Sequence, residues 1–408
     1  MLKPELLAPA GNLEKLKTAI LYGADAVYIG GTKYGLRAFA DNFSWDEMGE
    51  AINFAQKHNA KIYTTVNIFF HNEDLKGLAT YIKRLNNMGV NGIIVSDPGV
   101  IMLAKEVTPS LEVHLSTQAN TTNWVSALYW YKQGIKRIIL ARELSLTEIK
   151  EIREKSPSDL KIEVFVHGAM CISYSGRCLI SNYMSFRDAN RGECTQPCRW
   201  KYYLTEEKRP GEYLPVFEND KGTYIFNSKD LCTIHKLPEL IKAGVNSFKI
   251  EGRMKSVHYV ASVVSAYRKA IDQYFEDPDN YKFNPKLLDN IKKASHREFT
   301  TGFYFGKPGK DEQTYESSGY IREYDFVGLV KEYKEEKKVA IIEQRNHFKK
   351  GDEVEFFSPN GKSFDQQIIK MWDESGEEIH EAPHPQQMIA LKTEHSVKPF
   401  TIMRRKNR

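Results

Sequence analysis

Strand-like and helix-like segments alternate along the first 250 or so of the 408 residues with a regularity that few architectures accommodate. Apolar, β-branched runs occur at Glu5–Ala8, Asp25–Gly30, Lys61–Asn67, Gly92–Asp97, Glu112–Gln118, Arg137–Arg142, Lys161–His167 and Ser247–Arg253, each flanked by amphipathic stretches of helical period. Eight strands joined by helical crossovers, which are right-handed for steric reasons, close into a TIM-like (β/α)8 barrel. Four helices end at a glycine shortly before the next strand (Gly23, Gly89, Gly134, Gly244), as expected where a left-handed residue stops a helix.

In such a barrel the chemistry sits where strands end and βα loops begin, so the polar residues there form a candidate site: Asn12, Asn67, Asp97, Gln118, Arg142, His167, Glu251 and Arg253. Capping the following helix is the competing role for each. Composition serves mainly to exclude. With 41% hydrophobic and 27% charged residues the chain is neither disordered nor fibrous. No apolar run approaches the ~20 residues of a membrane helix, and the opening MLKPELLAPAGN has no secretory pattern, so a cytoplasmic protein without a membrane partner is expected. A net charge of +5 permits a nucleic-acid partner without requiring one.

Strands seven and eight stand about 80 residues apart, far more than the other crossovers, and this insertion, residues 168–246, carries all 5 cysteines. Its second half, Lys201 to Asn227, has turn signals at Pro210-Gly211 and Asp220-Lys221-Gly222 that predict short hairpins. The barrel with its insertion is expected over 1–275, ending on a helix from Val257 to Phe275. A linker with helical character over 276–317 contains Pro278, Pro285 and Pro308. From 318 to 408, alternating segments at Phe326–Tyr333, Lys338–Glu343, Glu353–Ser358 and Gln387–Lys392 predict a C-terminal antiparallel β-barrel domain.

Four thiols follow the seventh strand as Cys171-x6-Cys178 and Cys194-x3-Cys198, with 15 residues between the pairs. A loop that folds back can present them to one centre, either an iron–sulfur cluster or zinc; the wide first arm favours a [4Fe–4S] cluster over the short knuckles of zinc ribbons. Cys232 is a spare thiol, either a packed core residue, the commoner fate of a lone cysteine, or an alternative ligand.

The run Glu163 to Ser181 resembles the signature of the peptidase U32 family, and Leu6-Leu-Ala-Pro-Ala-Gly11-Asn12 and Lys249-Ile-Glu251-Gly-Arg253-Met-Lys255-Ser256 resemble that family's other hallmark segments. Cys194-x3-Cys198-Arg-Trp200 and Asn227-Ser-Lys-Asp230-Leu look most like its bacterial tRNA hydroxylation branch. The resemblance implies oxygen-independent formation of 5-hydroxyuridine at the tRNA wobble position, with a prephenate-like hydroxyl donor and a cluster on Cys171, Cys178, Cys194 and Cys198. Related branches that lack the second cysteine of the C-x3-C pair use a ligand further downstream, which keeps Cys232 in view.

The family name derives from reported collagenase activity, so a collagenase-like peptidase is the alternative, and a non-catalytic iron–sulfur partner protein a third. A peptidase needs an activated nucleophile or metal-bound water. The literal H-E-x-x-H at His380-Glu381-Ala-Pro383-His384 fails, because Pro383 breaks the helix that would align the histidines. For the hydroxylase, Arg142, Arg253 and Lys255 suit a small anionic donor, with Asn67 and Gln118 at neighbouring strand ends and Arg187 and Arg199 in the cysteine loop as further binding candidates. His167 is the expected proton shuttle, with a fixed structural histidine as the competing role, and Glu251 joins the catalytic candidates. The tail Arg404-Arg405-Lys406-Asn407-Arg408, the Lys349-Lys350 turn and Arg199-Trp200-Lys201-Tyr202-Tyr203 are candidates for gripping the tRNA anticodon region, and an electron-donor protein is a further expected partner.

Overall fold

The structure, a computed structural model, describes residues 2–36, 41–171, 173–174, 178, 180–187, 189, 192–197, 203–204, 214–215, 227–306, 313–314, 320–359 and 361–407. For residues 182, 183, 203, 204, 214, 215, 227, 228, 313 and 314 it describes the backbone alone. Eight parallel strands among these form the barrel: β1 (Glu5–Pro9), β2 (Ala26–Gly30), β3 (Lys61–Val66), β4 (Gly92–Val95), β5 (Glu112–Leu115), β6 (Arg137–Ile139), β7 (Lys161–Ala169) and, after β8 (Asp230–Cys232) of the insertion, β9 (Ser247–Ile250). Ser247 of β9 registers with Glu5 on one side and Glu163 on the other, which closes the ring.

The crossovers carry α1 (Leu13–Leu21), α2 (Trp45–Lys57), α3 (Leu78–Met88), α4 (Pro98–Val107), α5 (Trp124–Lys132), α6 (Leu146–Lys155) and, between β8 and β9, α8 (Leu237–Lys242); the short α7 (Ile180–Ser185) lies in the cysteine loop. Local chemistry explains their starts: Ser44 and Ser145 make capping boxes with Glu47 and Glu148. The four expected stop glycines all have positive φ (109°, 89°, 79° and 81°), the conformation that turns each chain back to its next strand.

The insertion does not simply leave the barrel and return. Strand β8 pairs antiparallel with the end of β7, His167 opposite Cys232, and β10 (Phe299–Thr300) adds parallel to β8, so the sheet branches at the barrel mouth. Of the expected hairpins, Tyr203–Leu204 pairs with Leu214–Pro215; most of residues 201–227 lie outside the described residues.

Barrel interiors are usually filled by branched aliphatic side chains. Here a run of alternating charge crosses the interior instead. Arg137 of β6 is bonded to Glu5 and lies 3.1 Å from Glu163, whose other oxygen is 3.3 Å from Lys249. Burial alone pushes the Glu163 carboxyl up, but Lys249 and Arg137 outweigh it and hold it below the usual range.

Helix α9 (Val257–Glu276), capped by Ser256, has 14 of its 20 residues buried, because it lies between the barrel and the second unit. Helix α10 (Pro285–Lys292) packs on it. Beyond come β11 (Tyr324–Lys334), β12 (Val339–Gln344), β13 (Glu353–Phe357), β14 (Ser363–Gln367), β15 (Met371–Trp372), β16 (Met388–Lys392) and β17 (Ile402–Lys406). They form an antiparallel sheet in the order β14-β13-β17-β11-β12-β16-β15, a half-barrel with its own core around Val327, Phe348, Phe356 and Met403.

Arg404, Arg405 and Lys406 of the basic C-terminal segment do not form a free phosphate-gripping tail, and Arg408 lies outside the described residues. The three belong to the inner strand β17, and Arg404 is buried, bonding both Glu355 oxygens (3.0 and 2.8 Å), Asn290 (2.7 Å) and Ser262 (3.2 Å). Arg405 is paired with Asp352 and Asp325, and Lys350 of the expected basic turn with Glu378. Tyr22 of α1 donates to the Phe357 carbonyl (2.7 Å) and Arg345 grips Glu14 (2.6 Å), so the half-barrel is fastened to the barrel along several contacts.

Candidate active site

The carboxyl ends of the barrel strands, the cysteine loop and the edge of the half-barrel together wall a cavity of about 1530 Å³. At its barrel end, Lys249 and Arg142 stand over the same Phe165 ring, at 5.5 and 4.0 Å from its centroid, and Lys249 is also 4.5 Å from the Tyr28 ring. Burial pulls the Lys249 ammonium below the usual lysine range, against Glu163 and Glu251, which favour its charge. Arg142 donates to the Ala169 carbonyl (2.8 Å) and reaches to 3.9 Å from Glu251, whose carboxylate also lies 3.3 Å from the Tyr28 hydroxyl.

Glu251 owes its position to a close strand approach. A Cβ on Gly168, where φ is +114°, would lie 2.5 Å from the Glu251 carbonyl oxygen. Asn67 donates to Gln118 (2.9 Å), while its own Oδ1 is buried without a partner among the described residues, leaving an acceptor at the cavity wall. Arg253 is a strut more than a reaching arm. It is 3% exposed, donates to Asn42 (2.7 Å) and lies so close to Gly30 that a side chain there would collide with its guanidinium. Lys255 lines the cavity further out, 4.1 Å from the Tyr320 ring centroid.

Cys171, Cys178 and Cys194 line this same cavity. Loss of hydration pushes the Cys171 thiol up; the Ser173 backbone and Arg142 pull it down, and Cys178 and Cys194 are near enough to push it up again. Among the described residues no three His, Cys, Asp or Glu side chains are drawn together as a metal site. Cys198 and Arg199 lie outside the described residues, and Arg187, half-buried in the loop, does not line the cavity.

One expectation is corrected. His167 is in the core, not at the mouth. Between β7 and β9 the register steps from Lys249 opposite Phe165 to Ile250 opposite His167, so Val166 is an extra residue that turns His167 to the outer face. There it is 1% exposed, with its ring 5.8, 5.6 and 5.6 Å from those of Tyr259, Tyr267 and Phe299. Burial, with Lys255 and His296, pushes it down to about 3, which favours the neutral ring near pH 7, and its side chain lines no part of the cavity. Cys232 is likewise buried, 3.9 Å from the Tyr267 hydroxyl and pushed up to about 11, and lines no part of the cavity. It is a core thiol. Asn12 and Asp97 take the capping role, accepting from Lys15 N and Val100 N.

Residues 11–314 match the profile of peptidase family U32, and residues 322–404 match that of the peptidase family U32 C-terminal domain. The chain belongs to peptidase family U32. It is 49% identical over 403 residues to tRNA hydroxylation protein P1 of Bacillus subtilis (strain 168), covering 99% of this chain and 95% of that one. It is 41% identical to tRNA hydroxylation protein P of Escherichia coli (strain K12), covering 88% and 87%. It is 36% identical over 323 residues to the 23S rRNA 5-hydroxycytidine C2501 synthase of the same organism, covering 78% of this chain and 47% of that one.

For this U32 chain the H-E-x-x-H string offers no peptidase centre. Glu381–Ala382 is a short strand paired with Phe348–Lys349, and Glu381 is 3.0 Å from His347. The residue that strand-end reasoning missed is Lys249. A lysine inside a strand reads as a solvated position, and the signal that could have found it is its alternation with Glu251 at the end of an otherwise apolar strand.

Proposed function

We propose that this U32 chain hydroxylates tRNA, forming 5-hydroxyuridine at the wobble position with a small anionic donor of the prephenate kind, and that Cys171, Cys178, Cys194 and Cys198 hold a [4Fe–4S] cluster. The observation that carries the reading is the shared cavity, in which three of those thiols line the same space as Arg142, Lys249 and Glu251. Soft thiols at one rim are the donor type that iron–sulfur centres take. Relatives named for tRNA and rRNA hydroxylation, which match this chain over most of its length, support RNA as the substrate class.

When bound, the cluster supplies Lewis-acid and one-electron chemistry beside the cavity. The chain's own residues bind and orient. Lys249 and Arg142 present two cations over Phe165 to an anionic donor, and the paired N–H groups of the guanidinium suit a carboxylate. Glu251, steadied by Tyr28 and Arg142, is the carboxylate placed to accept a proton. Asn67 Oδ1 accepts from a hydroxyl or N–H of the bound molecules. A tRNA substrate supports the cytoplasm as the proposed location; among the described residues no helix is long and apolar enough to cross a membrane.

The test is mass analysis of tRNA nucleosides from cells lacking the protein, complemented with the wild type or with Cys171→Ser, alongside collagen digestion by anaerobically purified protein. We expect 5-hydroxyuridine and its derivatives to disappear and to return with the wild type alone. Unchanged wobble uridines together with collagen cleavage would overturn the proposal.

A further inference from the structure

The cavity is larger than a small donor needs, since pockets for such molecules run to roughly 300–1000 Å³. Its outer wall comes from the seam between the two units. Tyr320, Arg322, Tyr324 and Phe326 line it together with Lys255, which follows β9 of the barrel and packs on the Tyr320 ring. We infer that single-stranded RNA lies across this seam, with Lys255 and Arg322 taking phosphates. This rests on the proposed RNA substrate and names the surface that receives it.

Three observations carry the inference. First, both cations are available: among the described residues neither Lys255 nor Arg322 has a carboxylate partner, and Arg322 is exposed. Lys255 is instead held against the Tyr320 and Tyr259 rings, at 4.1 and 5.2 Å from their centroids, a contact that fixes the ammonium without neutralising it. Second, the acid on this wall is occupied: Asp325 is 3.5 Å from Arg405, which reduces its repulsion of a phosphate. Third, the rim combines charge with apolar surface. Met254, beside Lys255, is 52% exposed, and the half-buried Tyr324 and Phe326 line the same cavity, as suits a strand whose bases are unpaired. The wall is held rigid by the buried bonds of Arg404 to Glu355, Asn290 and Ser262, so the groove needs no domain docking to form.

The experiment is binding of a fluorescein-labelled tRNA anticodon stem-loop to the full-length protein, followed by anisotropy across a KCl series. Arg322→Gln and Lys255→Gln should each lower the slope of log K against log salt by about 0.7 to 0.9, the value of one phosphate contact, and weaken binding. Arg322→Glu should weaken it further; because this side chain is exposed, its thermal melt should match the wild type. Lys57→Gln, exposed at the end of α2 remote from the mouth, should leave the slope unchanged. Wild-type binding with unaltered slopes in the Arg322 and Lys255 variants would overturn the inference and leave the proposed function standing. A wild-type protein that binds no tRNA would overturn the proposed function, and the inference with it.

Discussion

Lys249 and Glu163 form an ion pair 3.3 Å long inside the barrel, with side-chain exposures of 6% and 0%. On its far side Glu163 meets Arg137, which in turn holds Glu5, so each of the two inner charges is flanked by opposites. Removing Glu163 leaves two buried cations facing each other. Glu163→Gln should cost about 3–5 kcal/mol in urea unfolding. Glu163→Leu combined with Lys249→Met, which keeps the Arg137–Glu5 pair, should cost less than the sum of the single changes. Additive costs in that cycle would mean the pair is not coupled.

The junction between the units should weaken in acid. Burial alone pushes the Glu355 carboxyl up, but Arg404 and Lys293 bring it down to about 2, against an ordinary value of 4.5. A depressed carboxylate contributes stability that is present above pH 4.5 and is lost as pH falls toward 2, here at most about 3 kcal/mol. Denaturation midpoints measured from pH 6 to pH 2.5 should fall for the wild type more than for Glu355→Gln. Parallel curves for the two would refute the assignment.

Iron and sulfide content after anaerobic purification separates the five thiols. Cys171→Ser, Cys178→Ser, Cys194→Ser and Cys198→Ser should each lose most of the iron, whereas Cys232→Ala, a change in the core beside the end of β7, should retain it with a modest loss of stability. Loss of iron in the Cys232 variant would return that residue to the ligand set.

His167→Gln should damage the fold rather than the reaction's pH dependence. Because His167 is neutral when folded (about 3) and titrates near 6.5 when unfolded, its stabilising contribution is complete above pH 6.5 and declines below it. Modification measured between pH 6 and 8 should therefore show the same inflections in this variant as in the wild type. A shifted inflection would restore His167 as a proton carrier.

Gly168→Ala should be strongly destabilising, since the residue would need both a left-handed φ and space occupied by the Glu251 backbone. Relief of the clash by movement of β9 would show as lost modification with a retained melt, which locates the defect at Glu251.

The barrel was legible because its signals are local. Alternation, capping residues and stop glycines each act within a few positions, and the expected strands lie within a few residues of the observed ones. The clustering of the cysteines along the chain is local too, and Cys171, Cys178 and Cys194 line one cavity. His167 was misplaced because one extra residue in β7 reverses which side a side chain faces, and no local pattern announces a bulge. Lys249 was missed because its counter-charge, Glu163, belongs to another strand. In the half-barrel, β14 escaped notice because it is mostly polar although its partner β13 is only a turn away, β15 because it has two residues, and β17 because its partners lie far along the chain and its charges read as a solvated tail.

Helix α9 gives the two units a common interior. Its Tyr259 and Tyr267 brace the catalytic side, while His258 and Ser262 receive Arg404 from the other. A shortened chain ending before the half-barrel would bare that face to water and strip the seam of its outer wall. The trailing sheet is therefore no detachable accessory, and variation in it is expected to be felt by the reaction as well as by the fold.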